Sequence, residues 1–179
     1  ALLPPDVNRS YDRFTVEEGG IRFGLVAVKN IGRGFIQAVV RQRQQDGDFT
    51  SFQDFCQRMF DCTDMNKRAV ENLIRSGAFD GLGARRSQLA AVYEKVLDAI
   101  SASRRQNLEG QLDFFGMAAA STGAQHNKIE LPDIPEYSAA ERMVMEKETT
   151  GLYLSGHPMA DLRGAARRAG AVPILEVLA

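Results

Sequence analysis

Apolar positions between Phe23 and Ile100 recur at helical rather than alternating spacing. Phe35, Ile36, Val39 and Val40 share one helical face, with Gln37, Arg41 and Arg43 elsewhere on the turn. Asp46-Gly47-Asp48 closes that element. Thr50 or Ser51 is the expected N-cap of the next helix, which buries Phe52, Phe55, Cys56 and Met59. Asn66 caps another, carrying Ala69, Val70, Leu73 and Ile74, and Gly77 stops it. Beyond the tight connection Asp80-Gly81-Leu82-Gly83, a last helix of this block carries Leu89, Val92, Tyr93, Val96, Leu97 and Ile100. The apolar run Phe23–Lys29 is too short to assign by period alone. Residues 1–20 read as extended and irregular, because Pro4-Pro5 blocks a helix and Gly19-Gly20 marks a turn.

The pattern changes after Ser101. Residues 102–135 hold Gly110, Gly116, Gly123, a run of small residues from Ala118 to Thr122, and two prolines, Pro132 and Pro135. That is linker composition, interrupted by one apolar island, Gln111-Leu112-Asp113-Phe114-Phe115. Order is expected again at Ser138, where Ser138-Ala139-Ala140-Glu141 has capping-box spacing for a helix to about Thr150. The expected fold is mainly α. An extended lead-in spans 1–22, a small domain of tandem helix-hairpin-helix-like motifs 23–101, and a flexible linker 102–137. A helix and the start of a further domain span 138–179.

Composition narrows the functional classes. The chain has 179 residues, 44% of them hydrophobic and 25% charged, as in an ordinary globular protein. No apolar run approaches the ~20 residues of a membrane helix. Two cysteines, Cys56 and Cys62, are too few for a disulfide framework or a structural zinc, and a reducing compartment follows. The start at Ala1-Leu2-Leu3 lacks an initiator Met and reads as a piece of a longer chain. Net charge is −1, but its distribution is uneven. Arg22, Lys29, Arg33, Arg41 and Arg43 fall in a stretch without acidic residues, and Arg85, Arg86, Lys95, Arg104 and Arg105 form a second basic run broken by Glu94 and Asp98.

Glycine turns give these runs a possible use. In Lys29-Asn30-Ile31-Gly32-Arg33-Gly34, a turn between two short helices would expose the first backbone amides of the second. Free amides and the positive end of the helix dipole attract an anion. Asn30 tolerates the left-handed conformation, Ile31 anchors the turn, and Gly32 lets a phosphate approach. With Lys29, Arg33, Arg41 and Arg43 around it, this is the pattern of a helix-hairpin-helix gripping a nucleic-acid backbone. An ordinary αα-hairpin has the same glycine pattern, and the missing acidic residues favour DNA. The stretch Asn72–Asp80 resembles a degenerate second copy in which packing has the larger share, with Arg85 and Arg86 as its DNA contacts. In the linker, Phe114 and Phe115 either staple the segment to the helices or form, with Gln111, Leu112 and Asp113, a short motif for a partner's pocket. No catalytic constellation, metal-ligand set or dinucleotide fingerprint is evident. Ser155-Gly156-His157 lacks an orienting acid and reads as a turn before Pro158.

Several blocks together resemble the bacterial replicative DNA polymerase III alpha subunit, a C-family polymerase. They are Leu3-Pro4-Pro5-Asp6-Val7-Asn8, Ile21-Arg22-Phe23-Gly24-Leu25, Val28-Lys29-Asn30-Ile31-Gly32, Ser51-Phe52 with Asp54-Phe55-Cys56, Leu73-Ile74 with Ser76–Asp80, and Glu146-Lys147-Glu148 with Gly151–Pro158. The resemblance covers essentially the whole chain. It implies a segment after the catalytic palm, from the end of the fingers through the clamp-binding region. It implies that the hairpin at Asn30–Gly34 contacts duplex DNA, and that Gln111, Leu112, Asp113, Phe114 and Phe115 bind the sliding clamp (beta subunit), with Phe114 where leucine is commonest. It implies a cytoplasmic bacterial module, not an enzyme by itself. The parent nucleotidyltransferase's catalytic aspartates and Mg²⁺ would lie outside the segment, as would its contacts to other replisome subunits. An error-prone paralogue of the same family, or a helical scaffold without a DNA role, are the alternatives.

Overall fold

The computed structural model describes residues 1–62, 65–113, 130–160, 162–172 and 174–177. Two helices of the central block begin where a neighbouring side chain satisfies a first-turn amide. Ser51 accepts from the Asp54 amide at the start of α2 (Phe52–Met59), and Asn66 accepts from the Ala69 amide at the start of α3 (Lys67–Ser76). Gly77 ends α3 with φ 83°, and its amide returns to the carbonyls of Leu73 and Ile74. A Cβ at Gly77 would also lie 2.2 Å from the Arg86 guanidinium, so both conformation and space demand glycine. Before these helices lies α1 (Arg33–Asp46), and after them the long α4 (Arg86–Asp113). Further along, α5 (Ala139–Thr150) opens on a complete Ser138–Glu141 capping box and closes at Gly151 with φ 80°. Two short helices follow, α6 (Arg163–Arg168) and α7 (Ile174–Val177). The mainly α architecture matches the sequence pattern.

The core is aromatic. Phe55 sits edge-on to Phe35, Phe49 and Phe79 at centroid distances of 6.3, 4.9 and 4.8 Å, and Phe52 meets Phe79 at 5.1 Å. Leu73, Ile74, Leu89, Val92 and Val96 extend the same cluster along α3 and α4.

Two expectations are corrected here. Residues 1–22 are not merely a lead-in. They form a small sheet of β1 (Leu2–Leu3), β2 (Thr15–Glu17) and β3 (Gly20–Arg22) in the order β1-β3-β2, with β1 parallel and β2 antiparallel to β3. Val7 is fully buried in the helical core and its amide bonds the Ala78 carbonyl at 2.9 Å. The second correction concerns the boundary at 102. Helix α4 continues through 28 residues to Asp113, and Arg104 pairs with Asp61 and lies over the Phe60 ring. At the other end of the expected linker, Pro132, Asp133, Ile134 and Glu136 bond the first turn of α4. No helix among the described residues is long and apolar enough to cross a membrane.

Candidate nucleic-acid interface

The basic hairpin begins with a single 3₁₀ turn, Leu25–Ala27, where the sequence pattern suggested a short helix. Leu25 and Val28 are buried and hold this turn to the core. Lys29 and Asn30 then emerge to solvent. Asn30 has φ 61°, the one left-handed non-glycine among the described residues. Gly32 is the N-cap of α1 and has φ −70°, which any residue adopts. Its backbone conformation therefore does not require glycine. No side chain caps α1, and its first turn has no acidic residue. The first amides of a 14-residue helix thus face outward with the positive end of its dipole.

Lys29 and Arg33 flank that end, and Arg41 continues the charge about two turns along α1. Lys29, Arg33 and Arg41 are exposed, as are Gly32 and Gly34. Arg33, Gln37 and Arg41 follow at four-residue intervals, so they form one exposed stripe about 12 Å long. None of the ion pairs among the described residues uses Lys29, Arg33 or Arg41. Ile31 packs against the core beneath the turn.

Two arginines expected at the interface leave it. Arg43 is only 7% exposed. Its guanidinium donates to the carbonyls of Val7 at 2.9 Å, Ser10 at 2.8 Å and Arg9 at 3.4 Å, and it stacks over Tyr11. It staples the N-terminal segment to α1. Arg86 is 3% exposed and bridges Asp80 at 2.7 Å and Glu146 at 3.0 Å.

The second hairpin also has its anion already. Glu136 accepts from the amides of Arg86 at 2.8 Å, Ser87 at 3.1 Å and Tyr137 at 2.8 Å. Burial raises its pKa, but these three amides and the Arg86 charge hold the carboxyl below its usual range. Arg85 reaches the Ile134 carbonyl at 2.7 Å and Asp133 at 3.3 Å. A carboxylate of the chain itself occupies these amides, which leaves the first hairpin as the candidate interface.

Gln111, Leu112 and Asp113 are the last residues of α4. Phe114 and Phe115 lie outside the described residues. Ser155 and His157 are both engaged locally: the Ser155 hydroxyl donates to Glu146 at 3.0 Å, and His157 Nδ1 accepts from the Met159 amide at 3.1 Å.

The helix-hairpin-helix motif family matches residues 1–89, a span that contains both hairpins. The DNA polymerase III subunit alpha of Chlamydia pneumoniae is 36% identical over 176 residues, covering 96% of this chain. The subunits of Pseudomonas aeruginosa (36%, covering 98% of this chain) and Borreliella burgdorferi (32%, covering 99%) match over a similar span. This chain is similar to a segment of bacterial DNA polymerase III alpha subunits. It spans only 14% of the Chlamydia, 16% of the Pseudomonas and 15% of the Borreliella polymerase subunit. The likeness to these polymerase III alpha chains continues past residue 89, and so takes in α5 as well as the motif. Sequence reasoning missed Glu136, Glu146 and Asn72, which hold the hairpins together. One signal was legible: Asn72 is a polar residue on the stripe Ala69–Leu73–Ser76 that α3 buries.

Proposed function

We propose that this chain is a non-catalytic module of a replicative polymerase alpha subunit that grips duplex DNA by its backbone and tethers the polymerase to a sliding clamp. The carrying observation is the uncapped start of α1, with Lys29, Arg33 and Arg41 exposed and unpaired around it. That arrangement favours a phosphate on the α1 amides and further phosphates along the arginine stripe. It contacts no base edge, so binding is independent of sequence and falls steeply with salt. Nucleotide transfer and its Mg²⁺ belong to other parts of the longer cytoplasmic protein.

The tether is the segment Gln111-Leu112-Asp113-Phe114-Phe115, in which Gln111 hydrogen-bonds and Leu112, Phe114 and Phe115 fill apolar subsites of the clamp. Its position supports the reading. The chain stands at the end of α4 at Asp113 and is back at the first turn of α4 by Pro132. Pro132 bonds Gln88, so those two points are about 38 Å apart along the helix. Gln111, Leu112 and Asp113 thus stand well away from the capped second hairpin. Because a clamp surrounds the duplex that the hairpin grips, two modest contacts reinforce one another through effective concentration.

The test has two arms. Titration of a duplex across a salt series is expected to give a linear log–log dependence, and Arg33→Glu with Arg41→Glu is expected to abolish measurable binding at moderate salt. Titration of the sliding clamp is expected to show roughly micromolar affinity, lost in a Gln111→Ala, Phe114→Ala, Phe115→Ala triple variant. Equal DNA affinity in wild type and charge-reversed chain would leave the helical scaffold as the better reading. Equal clamp binding in wild type and triple variant would remove the tether.

A further inference from the structure

The peptide groups of Lys29 are held from two sides by elements outside the hairpin. Its amide donates to the carbonyl of Thr149 at 2.8 Å, at the end of α5. Its carbonyl accepts from the Asn72 side-chain amide at 2.7 Å, from α3. Asn72 is 8% exposed and Thr149 4%, so both bonds form where water does not compete freely. The next residue is Asn30 with its φ of 61°, and two residues later α1 begins.

We infer that the Asn72 carboxamide and the Thr149 carbonyl are the positioning groups of the anion-binding hairpin, fixing Lys29 and Asn30 so that the α1 amides and the Lys29 and Arg33 charges face one phosphate. The inference rests on the nucleic-acid reading above. Its physical ground is the left-handed turn at Asn30, which asparagine tolerates but which is one of several backbone states open to it, so the two bonds on the preceding peptide groups select and hold it. Packing alone does not ask for asparagine at 72, because its neighbours on the buried stripe of α3 are the small or apolar Ala69, Leu73 and Ser76. A polar group there is stable because it has a partner, and that partner is the carbonyl entering the turn. The Thr149 contact adds a dependence on α5, which lies beyond the residues 1–89 that the helix-hairpin-helix family matches. The DNA grip of the hairpin is therefore completed by chain downstream of residues 111–115.

Asn72→Asp tests this in the full chain, because it keeps the shape and at neutral pH removes the donor. Asn72→Ser is the second variant, used if the aspartate chain fails to fold. Hydrogen exchange at the Lys29 amide is expected to speed up on the order of tenfold, with Leu73 and Val92 amides unchanged. Duplex affinity at low salt is expected to fall on the order of tenfold, and the salt slope to drop by about one phosphate. Wild-type exchange and wild-type affinity in a folded variant overturn the inference. Faster exchange throughout α3 and α4 also overturns it, since that marks a merely structural residue. If wild type itself fails to bind duplex while the Lys29 amide is still selectively freed, the nucleic-acid reading falls and the positioning of Lys29 stands.

Discussion

At the scale of single residues, neighbours in sequence carry opposite duties. Arg41 and Arg43 are two positions apart, yet Arg41 is exposed and Arg43 is buried on three carbonyls. Asn30 and Gly32 divide the turn in the same way. Asn30 needs a residue that accepts a left-handed backbone, so Asn30→Gly is expected to leave the melting temperature nearly unchanged. Asn30→Val is expected to lower stability by about 1–2 kcal/mol, read from urea midpoints at constant slope. Gly32 has ordinary backbone geometry and is exposed at the start of α1, so under the nucleic-acid reading its value is a bare approach to the α1 amides. Gly32→Ala is accordingly expected to change stability by less than about 1 kcal/mol while weakening duplex binding several-fold in a titration. A larger loss of stability than of affinity would mean that this glycine serves the fold.

At the scale of elements, caps decide where helices stand, and their visibility in the sequence depends on how local they are. Ser51, Asn66, Gly77 and Ser138 lie within their own helices' first or last turn and were legible for that reason. The cap of α4 was not, because Glu136 arrives from 50 residues away in the chain. The end of α4 was also hidden. The composition from residue 102 onward reads as linker, while the tertiary partners of Arg104, Asp61 and Phe60, support the helix. The burial of Arg43 and Arg86 has a signal in the sequence. Arg43 follows Ile36 and Val39 at buried spacing, and Arg86 precedes the buried Leu89 by three positions. A cation on an apolar stripe is a structural cation more often than a ligand contact. The Glu136 cap has a definite pH signature. Its folded pKa lies below its ordinary value of 4.5, so folding favours the charged carboxylate. Its stabilisation is complete above that value and is lost as pH falls through the lower, folded pKa. Glu136→Gln is expected to cost about 1 kcal/mol at neutral pH, and the gap to wild type is expected to close in acid. Thermal melts of both chains from neutral pH down to the acid limit check it. A constant gap across that range would assign the stabilisation to shape rather than charge.

At the scale of the whole molecule, α5 and the chain around it act as a clasp. Glu136 covers the start of α4, Glu146 takes Arg86 on one oxygen and the Leu154 and Ser155 amides on the other, and Thr149 receives the Lys29 amide. These contacts join the second hairpin to the first. Stability and DNA grip should therefore separate cleanly by arginine. Arg86→Met leaves the carboxylate of Glu146, 1% exposed, without its cationic partner. Breaking such a pair from one side costs about 3–5 kcal/mol. Arg33→Met removes an exposed charge with no protein partner among the described residues and is expected to cost less than about 0.5 kcal/mol. Their effects on duplex binding are expected to invert. Arg33→Met should lower the salt slope by about one and weaken binding at low salt. Arg86→Met, measured below its melting temperature, should retain the wild-type slope, because its guanidinium meets no phosphate. The double variant Arg86→Met, Glu146→Leu removes the stranded charge together with its partner and is expected to recover much of the lost stability. Chemical denaturation of the four chains, followed by duplex titration at three salt concentrations, decides the matter. A reduced slope in Arg86→Met would return Arg86 to the DNA face and make the second hairpin a contact in its own right.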